Sequence, residues 1–174
     1  ATLEVRLSYG PPFDWHGLLE FFAQRALPGI EHVDDGVYSR TAHLGGHHDV
    51  ISVRHDATRR HVVLAVPAQL AAGLPEIAGR VRRLFDLQAD PEAVRSQLST
   101  DLRLRSLLKR RPGLRVPGAW DPFEIAVRAI VGQQISVAAA RTICGRIVAR
   151  YGETLEGESA LTRVFPTPEK IARA

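Results

Sequence analysis

The sequence predicts an α+β fold: an antiparallel sheet with helices on one face, followed by the start of an all-α part. Three observations predict it. Up to about residue 88 the segments follow the order β-α-β-β-β-α. From Leu102 onward no strand pattern is left. Helix starts with capping residues recur through the second half, at Asp90-Pro91, Asp121-Pro122, Ser136 and Thr167-Pro168. The composition shifts after Ala89, which places a boundary there and divides the chain into residues 1–89 and 90–174.

The elements follow in order. Leu3, Val5 and Leu7 alternate with polar residues, the mark of a strand, and Gly10-Pro11-Pro12 breaks it. Asp14 caps a helix to about Leu27, stopped by Pro28-Gly29, with Trp15, Leu18, Leu19, Phe22 and Ala26 as its buried stripe. Phe21 lies about 120° from the centre of that stripe at helical spacing. A large aromatic off the core face needs a second surface, either a domain contact or the wall of a ligand pocket. Three strand-like segments come next: residues 30–44, with a turn at Asp34-Asp35-Gly36, then residues 50–54, then residues 61–66. Meander strands of this kind form one antiparallel sheet. A helix over residues 74–88 covers it, with Ile77, Val81, Leu84 and Phe85 inward and Arg80, Arg82 and Arg83 outward.

In the second part, Asp90-Pro91 opens a helix with Val94 and Leu98 inward. Residues 103–115 hold Arg103, Arg105, Lys109, Arg110, Arg111 and Arg115, and no acidic residue falls between Asp101 and Asp121. Such a run is either a solvated helix face or a phosphate-contacting one. Residues 119–152 form two helices joined by a short polar corner, Gln133-Gln134. Asp121 and Glu124 have capping-box spacing, and Trp120 can staple onto Ile125. Phe123, Ala126, Val127, Ile130 and Val131 share one face. Ser136 caps the following helix, whose inward face is Val137, Ala140, Ile143, Cys144, Ile147 and Val148, and Gly152 is expected to end it in a left-handed conformation.

Composition narrows the function classes. The 174 residues are 45% hydrophobic and 24% charged, ordinary values for a globular protein. No apolar run approaches a membrane span of about 20 residues, and there is no signal-peptide pattern. One cysteine, Cys144, excludes an intramolecular disulfide and favours a reducing compartment. A net charge of +4 makes an anionic partner plausible. His43, His47, His48, His55 and His61 cluster in the sheet region beside Asp49, but without firm ligand spacing; the expectation is no metal and no cofactor. Nucleotide-binding loops and nucleophile elbows are absent, and residue chemistry alone singles out no catalytic centre. The paired amides at the corner can cap neighbouring carbonyls. They also suit insertion into a duplex, filling the gap left by an extruded nucleotide and bonding to the orphaned base.

Five blocks carry a likeness to a known family: Pro11-Pro12-Phe13-Asp14-Trp15, Arg83-Leu84-Phe85-Asp86-Leu87, residues 111–118, residues 121–136 and Phe165-Pro166-Thr167-Pro168. Together they resemble the DNA-3-methyladenine glycosylase II family, alkylation-repair enzymes of the helix-hairpin-helix glycosylase superfamily. Forms fused to an adaptive-response transcription regulator look similar over the same region. The likeness runs the length of the chain and keeps its blocks in order.

The resemblance implies a TATA-binding-protein-like module for residues 1–89 and the beginning of the all-α glycosylase domain for residues 90–174. It implies a monofunctional enzyme of bacterial cytoplasm, acting at the nucleoid. Such an enzyme flips N-alkylated purines from double-stranded DNA and hydrolyses the glycosidic bond without metal or cofactor. Phe21 matches an aromatic of the family's base pocket, and Gln134 matches the wedge that enters the DNA stack, flanked by Gln133 and Ser136 as DNA-binding residues. A well-known member has leucine at the wedge, so Gln134 departs from it. The family's catalytic aspartate and hairpin match no residue here, so the expectation is a piece of a longer protein, inactive by itself, with no catalytic residue in the chain. Apolar surface over residues 137–151 is expected to lie open and to promote self-association. A second reading keeps a non-enzymatic DNA-binding or regulatory module, whose sheet contacts duplex.

Overall fold

A computed structural model describes residues 1–155 and 159–173 of the chain; Ala174, the end of the expected second part, lies outside them. A five-stranded antiparallel sheet forms the first part. Its strands are β1 (Thr2–Ser8), β2 (Glu31–Asp34), β3 (Val37–Leu44), β4 (His47–Asp56) and β5 (His61–Pro67), in the order β1-β5-β4-β3-β2. The expected four-strand order is corrected here. Residues 30–44, counted as one segment with a turn, are the hairpin of two strands, β2 and β3, registered with Asp34 opposite Val37 around Asp35 and Gly36, both at positive φ. Strand β4 also runs beyond residues 50–54 at both ends, because Gly45-Gly46 makes a tight turn that pairs Leu44 with His47.

Helix α1 (Trp15–Arg25) packs on one face of the sheet; Asp14 caps it by accepting from Gly17 N at 2.9 Å. Trp15, Leu18, Leu19 and Phe22 are all buried, as the spacing predicts. A 3-10 turn (Ala68–Gly73) leads into α2 (Leu74–Leu84), with Ile77, Val81 and Leu84 buried beside Phe85. Helix α2 ends four residues earlier than expected. Asp86 adopts φ 52°, Leu87 N donates to Arg82 O at 2.9 Å, and Asp86 N donates to Arg83 O at 3.2 Å. That pair of bonds is the Schellman stop, with aspartate where glycine is usual.

The second part holds α3 (Pro91–Leu98), α4 (Leu102–Arg110), α5 (Pro122–Val131), α6 (Val137–Tyr151), a short hairpin β6 (Glu153–Thr154) with β7 (Arg163–Val164), and α7 (Pro168–Ala172). Aspartates cap α3, α4 and α5, Ser136 caps α6 and Thr167 caps α7. Several inward faces are corrected. Val94 and Leu98 on α3 are exposed, because no described element lies over them. On α5 the buried residue is Glu124, while Ile125 and Ile130 are exposed. Glu124 therefore does not reach back to the cap as a capping box would; it turns into an ionic cluster. Trp120 joins the sheet core rather than stapling onto Ile125. On α6, Cys144 and Val148 are buried with Leu27 and Ile30 from the connection after α1, whereas Val137 and Ile143 stay exposed. Gly152 is extended (φ −69°, ψ 148°), not left-handed.

Candidate nucleic-acid interface

Helix α1 fixes Phe21. With its stripe turned to the sheet, Phe21 stands 37% exposed and meets Phe22 edge-on at 5.8 Å between ring centroids. The guanidinium of Arg25, one turn on, lies 3.8 Å over the Phe21 ring and donates to Phe21 O. Phe21 and Arg25 form one wall of a cleft of about 320 Å³ between α1 and the α5–α6 pair. Trp120, Ile125, Ile135 and Val137 complete most of its apolar lining. Trp120 is itself clamped, with Arg40 at 4.5 Å and Arg80 at 5.3 Å from its ring.

Beneath the cleft lies a buried ionic cluster that sequence reasoning missed. Arg128 Nη2 donates to Glu31 Oε2 at 2.5 Å and to Glu124 Oε1 at 2.6 Å. Arg40 Nη2 donates to Glu124 Oε2 at 2.8 Å and Arg40 Nη1 lies 3.6 Å from Glu31 Oε1. Tyr38 Oη donates to Glu31 Oε1 at 2.7 Å, and Leu27 N donates to Glu31 Oε2 at 3.2 Å. Burial alone would raise the pKa of Glu31, but the Arg128 and Arg40 guanidiniums outweigh it and hold the carboxyl below its ordinary value. The same burial and the nearby Glu31 carboxylate push the Tyr38 phenol well up. One signal in the sequence points to part of this cluster: Glu124 and Arg128 sit four apart on a helix. Their partners, about a hundred residues upstream, leave no local trace.

The corner stands at the end of α5. Gly132 N donates to Arg128 O at 2.9 Å, and Gln134 then takes φ 61°. Ser136 Oγ accepts from Ala139 N at 3.1 Å and starts α6. Gln133 and Gln134 are exposed, and neither side-chain amide has a hydrogen-bond partner among the described residues. Carbonyl capping is therefore not what these amides do, and the structure leaves both pointing outward with donors and acceptors free. Gly132, Ile135 and Val137, the chain neighbours of the corner, line the cleft walled by Phe21, whereas Gln133, Gln134 and Ser136 themselves do not.

The basic run is divided between two roles. Arg111 pairs with the Asp14 cap at 2.7 Å. Burial would raise the Asp14 pKa, but the Gly17 amide and Arg111 bring it below its ordinary value. Arg115 is buried and donates to the carbonyl oxygens of Gly10, Pro12, Asp86 and Ala89. These two arginines are structural ties. Arg103, Lys109 and Arg110 remain exposed on α4. The histidines also separate: His55 accepts or donates a 2.8 Å bond with Tyr9 Oη inside an aromatic cluster, while His43 and His48 face each other across the β3–β4 hairpin.

An antiparallel sheet with α1 and α2 packed on it, and the α5–α6 pair facing α1 across an apolar cleft, defines an α+β module. The sequence profile of the AlkA N-terminal domain matches residues 4–121, and the chain belongs to that family. It is 38% identical over 168 residues to the Escherichia coli protein named DNA-3-methyladenine glycosylase 2, covering 97% of this chain and 57% of that protein. It is likewise 38% identical over 173 residues to a Mycobacterium tuberculosis protein named probable bifunctional transcriptional activator/DNA repair enzyme AlkA, covering 99% of this chain and 34% of that one. The chain thus spans roughly half or less of these relatives. Among solved structures, a 3-methyladenine DNA-glycosylase from Archaeoglobus fulgidus has the same fold over 97% of this chain and 58% of its own, with a TM-score of 0.77 at 24% identity.

Proposed function

We propose that this chain supplies the duplex-probing and part of the base-binding surface of a DNA glycosylase that excises N-alkylated purines such as 3-methyladenine. The observation that carries the proposal is the pairing of two features. An exposed, left-handed Gln134 with a free amide lies in the chain between Gly132 and Ile135, which line a cleft walled by Phe21 and Trp120. Gln134 enters the stack and bonds to the base left unpaired, while Gln133 and Ser136 steady the corner against the backbone. The extruded base stacks in the cleft. An N-alkylated purine is planar and cationic, and the guanidinium of Arg25, also planar and cationic, already rests on the Phe21 ring where such a base would lie. The positive charge on the base makes it a good leaving group.

The cleft holds no free carboxylate among the described residues. Glu31 and Glu124 are locked to arginines, and Asp121 accepts from Phe123 N and Glu124 N as a cap. The group that assists bond cleavage is therefore assigned outside the described residues, and the whole protein acts on chromosomal DNA in the bacterial cytoplasm. Exposed Ile130, Val137 and Ile143 are the surface through which the isolated chain self-associates, which light scattering tests.

The decisive experiment measures binding and base release together. The chain is expected to bind a duplex carrying a tetrahydrofuran abasic analogue in a salt-sensitive way, and to release no methylated base from alkylated DNA. Phe21→Ala in the whole protein is expected to lower base-release kcat/KM about tenfold or more. Turnover by the chain alone would overturn the assignment of the cleaving group, and salt-insensitive or absent binding would overturn the interface.

A further inference from the structure

We propose that the buried cluster Glu31–Arg40–Glu124–Arg128 is a positioning device that sets the stance of the Gln133-Gln134 corner towards DNA; the proposal rests on the wedge reading of Gln134. Helix α5 is the rod that carries the corner; its apolar contacts, Phe123 on Phe165 and Val131 on the cluster of Leu27, Ile30, Cys144 and Val148, lie outside the sheet core. Its buried residue is a glutamate, and its large aliphatic side chains at Ile125 and Ile130 are exposed. What ties the rod to the sheet is a set of directional bonds. Glu31 is held on β2 by Tyr38 Oη and Leu27 N, Arg40 on β3 holds Glu124, and Arg128 bridges both carboxylates. Arg128 also donates to Arg25 O at 3.1 Å, so the strap reaches α1, the wall that carries Phe21.

Geometry makes the strap consequential. From Glu124 to the end of the helix at Val131 is about 10 Å, so a tilt of about 10° about Glu124 moves that end by roughly 2 Å. That displacement is a sizeable fraction of the spacing between stacked bases. Arg128 stands one turn before the corner, and its carbonyl accepts from Gly132 N, the last bond before the chain turns. The alternative role, a phosphate site, is disfavoured by charge: two guanidiniums face two carboxylates, and all four residues are largely enclosed. Nor is stabilisation a sufficient reason for the cluster, since buried ion pairs are often no better than well-packed apolar groups. Hydrogen-bond direction is what an apolar contact would not supply.

The test uses the whole 174-residue chain, an abasic-analogue duplex and its undamaged counterpart, read by fluorescence anisotropy. Four variants are compared: Gln134→Ala, Glu124→Gln, Arg128→Lys and the double Gln134→Ala/Glu124→Gln. Gln134→Ala is expected to reduce the preference for the abasic duplex about tenfold. Glu124→Gln and Arg128→Lys should each lower that preference by a similar factor and leave undamaged-duplex affinity unchanged, and the double variant should fall no further than Gln134→Ala. A general loss of fold would lower both affinities alike. If Glu124→Gln unfolds by circular dichroism, Arg128→Lys, which keeps the charge but has no second nitrogen to hold Arg25 O while the first holds the carboxylates, decides the question. Strap variants that keep the wild-type preference, or a double variant with additive losses, overturn the positioning role while the wedge reading stands. A wild-type chain without abasic preference, or a Gln134→Ala chain that keeps it, overturns both.

Discussion

Two residues stand in conformations that their side chains would not lead one to expect. Gln134 has φ 61°, in the left-handed region that costs a non-glycine residue about 1–2 kcal/mol. Gly152 has φ −69°, open to any residue, yet a Cβ there would come within 2.5 Å of Val148 O and 2.6 Å of Val164 O. The glycine is required by the close approach of β7 to the end of α6, not by its own dihedral. Gly152→Ala should therefore destabilise the chain by about 1–3 kcal/mol, the cost of overpacking. Gln134→Gly should be neutral to about 1 kcal/mol more stable, after the unfolded-state entropy of glycine is set against the relieved strain. Urea denaturation of both variants checks this, and a destabilised Gln134→Gly chain would refute the account of strain. A glutamine retained in a costly conformation, with a free amide, is the pattern expected where function rather than stability holds a residue in place.

At the scale of elements, caps were legible in the sequence and faces were not. Asp14, Asp90, Asp121, Ser136 and Thr167 all cap the helices expected of them, because capping is settled within three or four residues. The stripe of α1 was equally clear, since it meets a sheet whose strands lie in the same stretch of chain. The faces of α3 and α5 failed for a shared reason. Periodicity says which residues lie together, not which surface arrives to cover them, and on α5 the covering surface is polar: Arg40 meets Glu124 from 84 residues away. The same distance hid the strap, whereas the exposure of Phe21 was legible because it broke a local pattern. Equal caps on unequal helices give a test. Asp121→Ala should lower global stability by about 1 kcal/mol, because α5 is tied to the sheet. Asp90→Ala should leave the global melting curve nearly unchanged and speed amide exchange in α3, which buries no residue. Equal losses in both would mean that α3 is coupled to the core after all.

At the scale of the molecule, the expected halves share their interiors. Trp120 belongs to the sheet core, Leu27 and Ile30 lie in the α6 cluster, and the ionic strap crosses between them. One cooperative melting transition is expected for the chain. Removing residues 90–174 should destabilise the remainder, because Glu31 loses Arg128 and Arg40 loses Glu124, leaving the 3.6 Å Glu31–Arg40 contact as the remnant of the strap. Two separate transitions would show instead that residues 1–89 stand independently. Acid should weaken the fold. Glu31 and Asp14 titrate below their ordinary values in the folded chain, so the unfolded chain binds protons first as pH falls, and the stability present above about pH 4.5 is lost below it. Burial also depresses His55, so a smaller loss begins below about pH 6.5. Thermal melts across this range should show both limbs, and Glu31→Gln should flatten the lower one.

Cys144 lies at the foot of the cleft, 2% exposed, and burial raises its thiol pKa. It is the single cysteine of a chain with no methionine. Soft sulfur is the protein atom that methylating electrophiles attack most readily, and they attack it as the thiolate. Here that sulfur is scarce, protonated and clustered with buried Leu27, Ile30 and Val148. The chain's one thiol is thereby slow to react with electrophiles, and the fold keeps its sulfur unmodified where an exposed thiolate would be alkylated.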